Sequence, residues 1–158
     1  MVRSATFAYD SSGGYATVGS GGGGGGGYGI ILKDELQLSP LFLLGVLNSS
    51  LSNYILKQIG SPFRGGYFGC DQQTLARLPV RDIDLSSVTE RQTHDSIVSQ
   101  VEDMLSLQTQ LAPVRHTPSS LRDDLLHEVE RVDQQIDRLV YDLYGLTAAE
   151  INIIEGPR

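Results

Sequence analysis

SSLRDDLLHEVERVDQQIDRLVYDLYGLT, residues 119–147, is the stretch from which the fold class is read. Leu121, Leu125, Val129, Val132, Ile136, Leu139 and Leu143 fall at steps of 4, 4, 3, 4, 3 and 4, the spacing of a heptad seam. Asp123, Asp124, Glu128, Glu130, Asp133 and Asp137 lie on its flanks with Arg122, Arg131 and Arg138 among them, as on a solvated helix face laced by pairs three and four residues apart. Gly145 is placed to cap the helix, and Thr147 opens a capping box with Glu150. Upstream, residues 86–111 carry a second stripe of Ile97, Val101, Met104, Leu105 and Leu111. Pro113 and Pro118 bracket the turn between the two, because neither sits inside a helix without losing a hydrogen bond. Two long amphipathic helices on a short connection predict an antiparallel hairpin.

Toward the N-terminus the pattern changes. Ser39-Pro40 reads as N-cap and first helical residue. Leu41, Leu44, Leu47, Leu51 and Ile55, broadened by Tyr54 and Ile59, then predict one helix packed on a sheet and ending near Gly60-Ser61-Pro62. Phe63 to Phe68 reads as a loop entering a short strand, Asp71 as the cap of a short helix through Leu78, and Pro79 to Ile83 as an extended exit. Ala5 to Tyr9 and Tyr15 to Val18, separated by Asp10 to Gly14, predict a β-hairpin. Gly19 to Gly29, with its run from Gly21 to Gly27, predicts a disordered loop. Gly29 to Lys33 predicts a short buried strand. The expected class is α+β, a small mixed sheet with a packed helix followed by a long antiparallel, coiled-coil-like hairpin. The expected domains are residues 1–84 and 85–158.

Composition narrows the function. The chain has 158 residues, 40% hydrophobic and 20% charged, enough apolar material for a packed core. No apolar run approaches the roughly 20 residues of a membrane-spanning helix, and Met1 to Thr6 lacks the apolar stretch of a secretory signal. A cytoplasmic protein without a membrane partner is the expectation. Cys70 is the single cysteine, so no internal disulfide is expected. The formal charge of -7 is unevenly spread: residues 1–80 balance at +1 and residues 81–158 at -8. Acidity therefore belongs to the helical half, and strong non-specific nucleic-acid binding by the chain as a whole is not expected.

Residue types that carry catalysis fall in the wrong contexts. The glycine tract satisfies G-x-G-x-x-G trivially, but a strand is expected after it where a dinucleotide site needs a helix, and no Gly-Lys-Ser/Thr follows. His94, His116 and His127 fall at surface-like positions of the helical half, and His127-Glu128 lacks the second histidine of a helical zinc site. Asp82 and Asp84 have no acid-x-lysine partner, and no Asn/Asp-Pro-Pro-Tyr/Phe segment is present. The chain is therefore expected to hold no catalytic centre, metal or cofactor of its own.

Three segments carry a resemblance. Leu47-Asn48-Ser49-Ser50-Leu51-Ser52-Asn53-Tyr54, then Gly65-Gly66-Tyr67-Phe68, then Leu75-Ala76-Arg77-Leu78-Pro79-Val80, resemble the TaqI-like C-terminal specificity domain of type IIG restriction enzymes and related adenine-specific DNA methyltransferases. The tail Asp137-Arg138-Leu139-Val140-Tyr141-Asp142-Leu143-Tyr144-Gly145-Leu146-Thr147 is similar to the end of many such enzymes. The chain departs from the pattern at Val80-Arg81, where the family often has Ile-Pro, and at Phe68, where a basic residue is frequent. The resemblance implies target recognition on double-stranded DNA beside a catalytic methyltransferase and nuclease portion. S-adenosylmethionine and Mg would belong to that parent enzyme alone.

Readout of a duplex needs side chains that reach base edges, supported by phosphate contacts. Lys57, Arg64, Tyr67, Gln72, Gln73 and Arg77 supply these types near the loops at Gly65-Gly66 and Gly69. Tyr9, Tyr15 and Tyr28 add rings that stack or hydrogen-bond. Two other readings stand beside this one: half of a type I restriction specificity subunit, or a coiled-coil protein-interaction module in which the hairpin is the functional surface and the first half a cap. The seam is open to pairing within one chain or, as a homodimer, between two.

Overall fold

The computed structural model describes residues 5–12, 28–33 and 36–156, and its fold is α+β. Two long helices dominate: α4 (Val88–Leu111) and α5 (Ser120–Tyr144). They fold back on each other across the Pro113–Pro118 turn and form the most extensive helix pair of the molecule. The ends follow from local chemistry. Ser119 accepts a hydrogen bond from the Arg122 amide and starts α5, and Gly145 ends it in the left-handed conformation (φ 66°) that an L side chain resists. The Thr147–Glu150 capping box then opens α6 (Ala148–Glu155), with the two residues bonded reciprocally.

The shorter helices α1 (Pro40–Asn48), α2 (Ser50–Ile59) and α3 (Gln72–Leu75) precede this pair, with the strands β1 (Pro62–Phe63) and β2 (Tyr67–Phe68) between α2 and α3. Among the described residues the expected mixed sheet is this antiparallel pair, Pro62 opposite Phe68 and Phe63 opposite Tyr67. The single helix expected over residues 40–59 is broken at Ser49, whose extended backbone makes it the N-cap of α2. The Val46 carbonyl at the end of α1 accepts from the Ser49 amide, the Ser49 hydroxyl (2.7 Å) and the Ser52 hydroxyl (2.6 Å). Asp137 of α5 accepts from the Ser50 amide at 2.8 Å, so the start of α2 is bonded to another helix.

One hydrophobic cluster joins Phe42, Val46 and Leu51 to Ile97 and Val101 of α4 and to Val132, Ile136, Val140, Tyr141 and Leu143 of α5. Residues on either side of position 84 thus share a core. Gly45 permits the close approach of α1, since a Cβ there would lie 2.8 Å from Ile97 Cγ2 and 2.9 Å from Val101 Cγ2. A second cluster gathers Ala5, Leu47, Leu56, Phe68 and Leu78 beneath the short elements.

Several expectations are corrected. Residues 5–10 form no strand, and the other half of the expected β-hairpin (15–18) and the glycine run (21–27) lie outside the described residues. The chain at Ala5 and Phe7 docks instead on amide side chains: Asn53 Oδ1 accepts from the Ala5 amide, while Asn48 accepts from the Phe7 amide and donates to the Phe7 carbonyl. Gly29 to Lys33 is neither strand nor buried; Ile31 is 93% exposed, and among the described residues no neighbouring strand satisfies its backbone. His94 is not solvated. It is 8% exposed and stacks on Phe42, with ring centroids 5.1 Å apart. Its Nε2 accepts from the Ser39 amide at 3.2 Å, which leaves Nδ1 to donate to Asp95. Leu105 and Leu121, assigned to the buried stripes, are exposed at 38% and 56%, while Leu111 and Leu125 near the same turn are buried.

Candidate nucleic-acid interface

The elements that carry the candidate residues are assembled around the second cluster. Leu56 is fully buried and directs the next residue, Lys57, into solvent at the end of α2. Gly60 then receives the base of the β1–β2 ribbon: a Cβ there would meet the Gly69 carbonyl oxygen at 2.5 Å and the Phe68 ring at 2.9 Å. The Gly69 amide donates to the Ser61 carbonyl at 2.8 Å, and Phe68 is 3% exposed in the cluster. The ribbon is therefore anchored at its root. Its tip is open, with Gly65 (φ 74°) and Gly66 (φ 78°) in conformations that glycine alone adopts easily.

Asp71 fixes the last element. Its carboxylate accepts from the Thr74 amide at 2.8 Å, capping α3, and these bonds hold its pKa below the ordinary carboxylate value. Gln72 and Gln73 follow in the first turn, and Arg77 lies just beyond α3. The exit is clasped by the tail. Tyr144 donates to the Pro79 carbonyl at 2.8 Å and accepts from the Arg81 amide at 3.1 Å, while the Arg81 guanidinium bonds the Leu143 carbonyl.

All six candidates, Lys57, Arg64, Tyr67, Gln72, Gln73 and Arg77, are exposed, on elements that enclose one small cluster. Residues 36–80 hold three cations, Lys57, Arg64 and Arg77, against one anion, Asp71. Among the described residues none of these three cations forms an ion pair. The pairs present among the described residues all lie in the helical half, at Arg81–Glu90, Arg122–Asp123 and Arg131–Glu128. Of the other rings, Tyr9 and Tyr28 are exposed and Tyr15 lies outside the described residues.

Sequence reasoning overlooked Phe63, 57% exposed and paired across the ribbon with Tyr67. The signal was its position, four residues before Tyr67 with Gly65-Gly66 between. Among the described residues no group of three or more His, Cys, Asp or Glu side chains is placed to hold a metal ion, and no helix is long and apolar enough to cross a membrane. Burial pushes the Cys70 thiol above its ordinary pKa, the direction of a less reactive sulfur. Compared with known proteins, the chain matches no family model, no curated protein and no solved structure.

Proposed function

We propose that the chain reads duplex DNA as the target-recognition module of a restriction-modification enzyme, with methyl transfer and cleavage carried out by other parts of the parent. The observation that carries this reading is the segregation of cations: those of the helical half include paired arginines, whereas Lys57, Arg64 and Arg77 face solvent without a counter-ion among the described residues. Arg and Lys side chains held open on short, anchored elements suit phosphate contact. Arg64, Gln72 and Gln73 also have the donor and acceptor geometry that base edges require. The acidic hairpin repels phosphate, which orients the module and limits non-specific binding. On this reading the hairpin braces the recognition surface against the catalytic portion, where S-adenosylmethionine and Mg would bind. The resemblance of the three segments quoted above points to the same class.

The test is a gel-shift titration against randomised duplexes, comparing the chain with its Lys57→Glu/Arg64→Glu double variant. The expected result is about a tenfold or greater loss of affinity, with the salt dependence reduced by about one for each phosphate contact removed. The melting temperature should fall only slightly, because among the described residues neither side chain forms an ion pair and Lys57→Glu disturbs only the charge at the C-terminal end of α2. Unaltered binding by the double variant would overturn the reading.

A further inference from the structure

We propose that Phe63 is an apolar wedge that enters the base stack of duplex DNA, an inference that rests on the DNA-reading role above and extends it to a residue outside the set chosen from sequence. In a two-stranded ribbon, residues opposite each other share a face and successive residues alternate. Pro62 and Phe68 form one pair, Phe63 and Tyr67 the other. Phe68 is 3% exposed and points into the cluster, so the second pair faces outward, with Phe63 57% and Tyr67 39% exposed.

The surroundings select a nucleic acid as the occupant. Arg64 follows the wedge directly and forms no ion pair among the described residues. Lys57 and Arg77 add positive charge on neighbouring elements, with Asp71 the only acid between residues 36 and 80. An apolar ring flanked by cations matches a polyanion with an apolar interior, which is what stacked bases between phosphates present. The ribbon tip offers bare backbone: nothing lies within 4 Å of where a Gly66 side chain would begin. β-ribbons enter either groove of DNA, and phenylalanine is among the side chains that unstack a base step from the minor groove. The root, locked by Gly60, Gly69 and Phe68, resists the push that insertion requires.

Insertion costs unstacking, and a mismatch lowers that cost. The experiment uses the full chain and short fluorescein-labelled duplexes, either fully paired or with one central T·T mismatch. Wild type should bind the mismatched duplex about fivefold more tightly or better. Phe63→Ala should erase that preference, because the ring that profits from a weakened base step is gone while the cations that supply phosphate contact remain. The chain contains no tryptophan, so Phe63→Trp creates a single reporter whose emission should be quenched more by the mismatched duplex. The exposed Leu121→Trp, on the acidic hairpin, should show no such response. The Trp reporter decides the matter if Phe63→Ala fails to fold. Equal affinity for the two duplexes, with binding still abolished by charge reversal at Lys57 and Arg64, overturns the wedge and leaves DNA reading standing. A mismatch preference that survives Phe63→Ala also overturns the wedge. Binding to neither duplex removes both assignments.

Discussion

Residues 36–80 and 81–156 differ in what their polar side chains touch. In the helical half three arginines meet carboxylates, Arg81 3.4 Å from Glu90, Arg122 3.3 Å from Asp123 and Arg131 2.7 Å from Glu128, while Arg91 bonds the Leu85 carbonyl and Arg115 the Gln108 side chain. In the front half the fastening is done by Asn48, Ser49, Ser52, Asn53 and Asp71, and each bonds backbone. The physical reason is length. α4 and α5 have 24 and 25 residues and bury continuous stripes, whereas α1, α2 and α3 have 9, 10 and 4, too short to persist without outside partners for their end groups. Asn and Ser side chains and two carboxylates, Asp71 and Asp137, satisfy those groups. None of the front half's described cations is used to do so, and Lys57, Arg64 and Arg77 are left at the surface.

The largest effect that tests this contrast is Ile97→Ala. Ile97 is fully buried between the long pair and α1, and its truncation should cost about 2–5 kcal/mol in chemical denaturation. Because the cluster spans both halves, amide exchange in α1 and α5 should accelerate together; separate midpoints would break the comparison. Gly60→Ala should cost about 1–3 kcal/mol through its clash with the Gly69 carbonyl. Here exchange should rise at the Gly69 amide while α4 and α5 keep their protection. Asn48→Ala removes both bonds to Phe7 and should cost about 1–2 kcal/mol, read as faster exchange at the Phe7 amide.

Asp137→Asn should give the smallest change, and its sign is opposite. Burial raises the Asp137 pKa despite the opposing bonds from Ser50, so the folded state holds this proton to higher pH than the unfolded chain does. Wild-type stability must then fall as pH rises from the ordinary carboxyl value through the raised one. The amide keeps an acceptor for the Ser50 N–H without the buried charge. Its melting temperature should exceed wild type at neutral pH, with the gap closing on acidification below the ordinary carboxyl range.

Legibility followed the same division. α4, α5, the αL cap at Gly145 and the Thr147–Glu150 box were readable because helical period and capping chemistry are local. The break at Ser49 was not, since Leu41, Leu44, Leu47, Leu51 and Ile55 keep helical spacing straight through it. Its trace is the polar Asn48-Ser49-Ser50, which needs tertiary partners to act as a cap. Ala5 to Tyr9 reads as a strand from its alternation, but the side-chain amides of Asn48 and Asn53 take the place of a neighbouring strand at Ala5 and Phe7. His94 was misread for its polarity, though it lies three residues before Ile97 and seven before Val101 on the same stripe. The exposure of the candidate cations depends on which ion pairs form, a matter of long-range geometry that composition does not encode.

The seating of α1 on the hairpin sets where this chain can be divided. A cut at residue 84 would strip Phe42 and Val46 of Ile97 and Val101, and would part Pro79 and Arg81 from Tyr144. A fragment that keeps its stitching intact has to carry the front elements and the helices through Tyr144 as one piece.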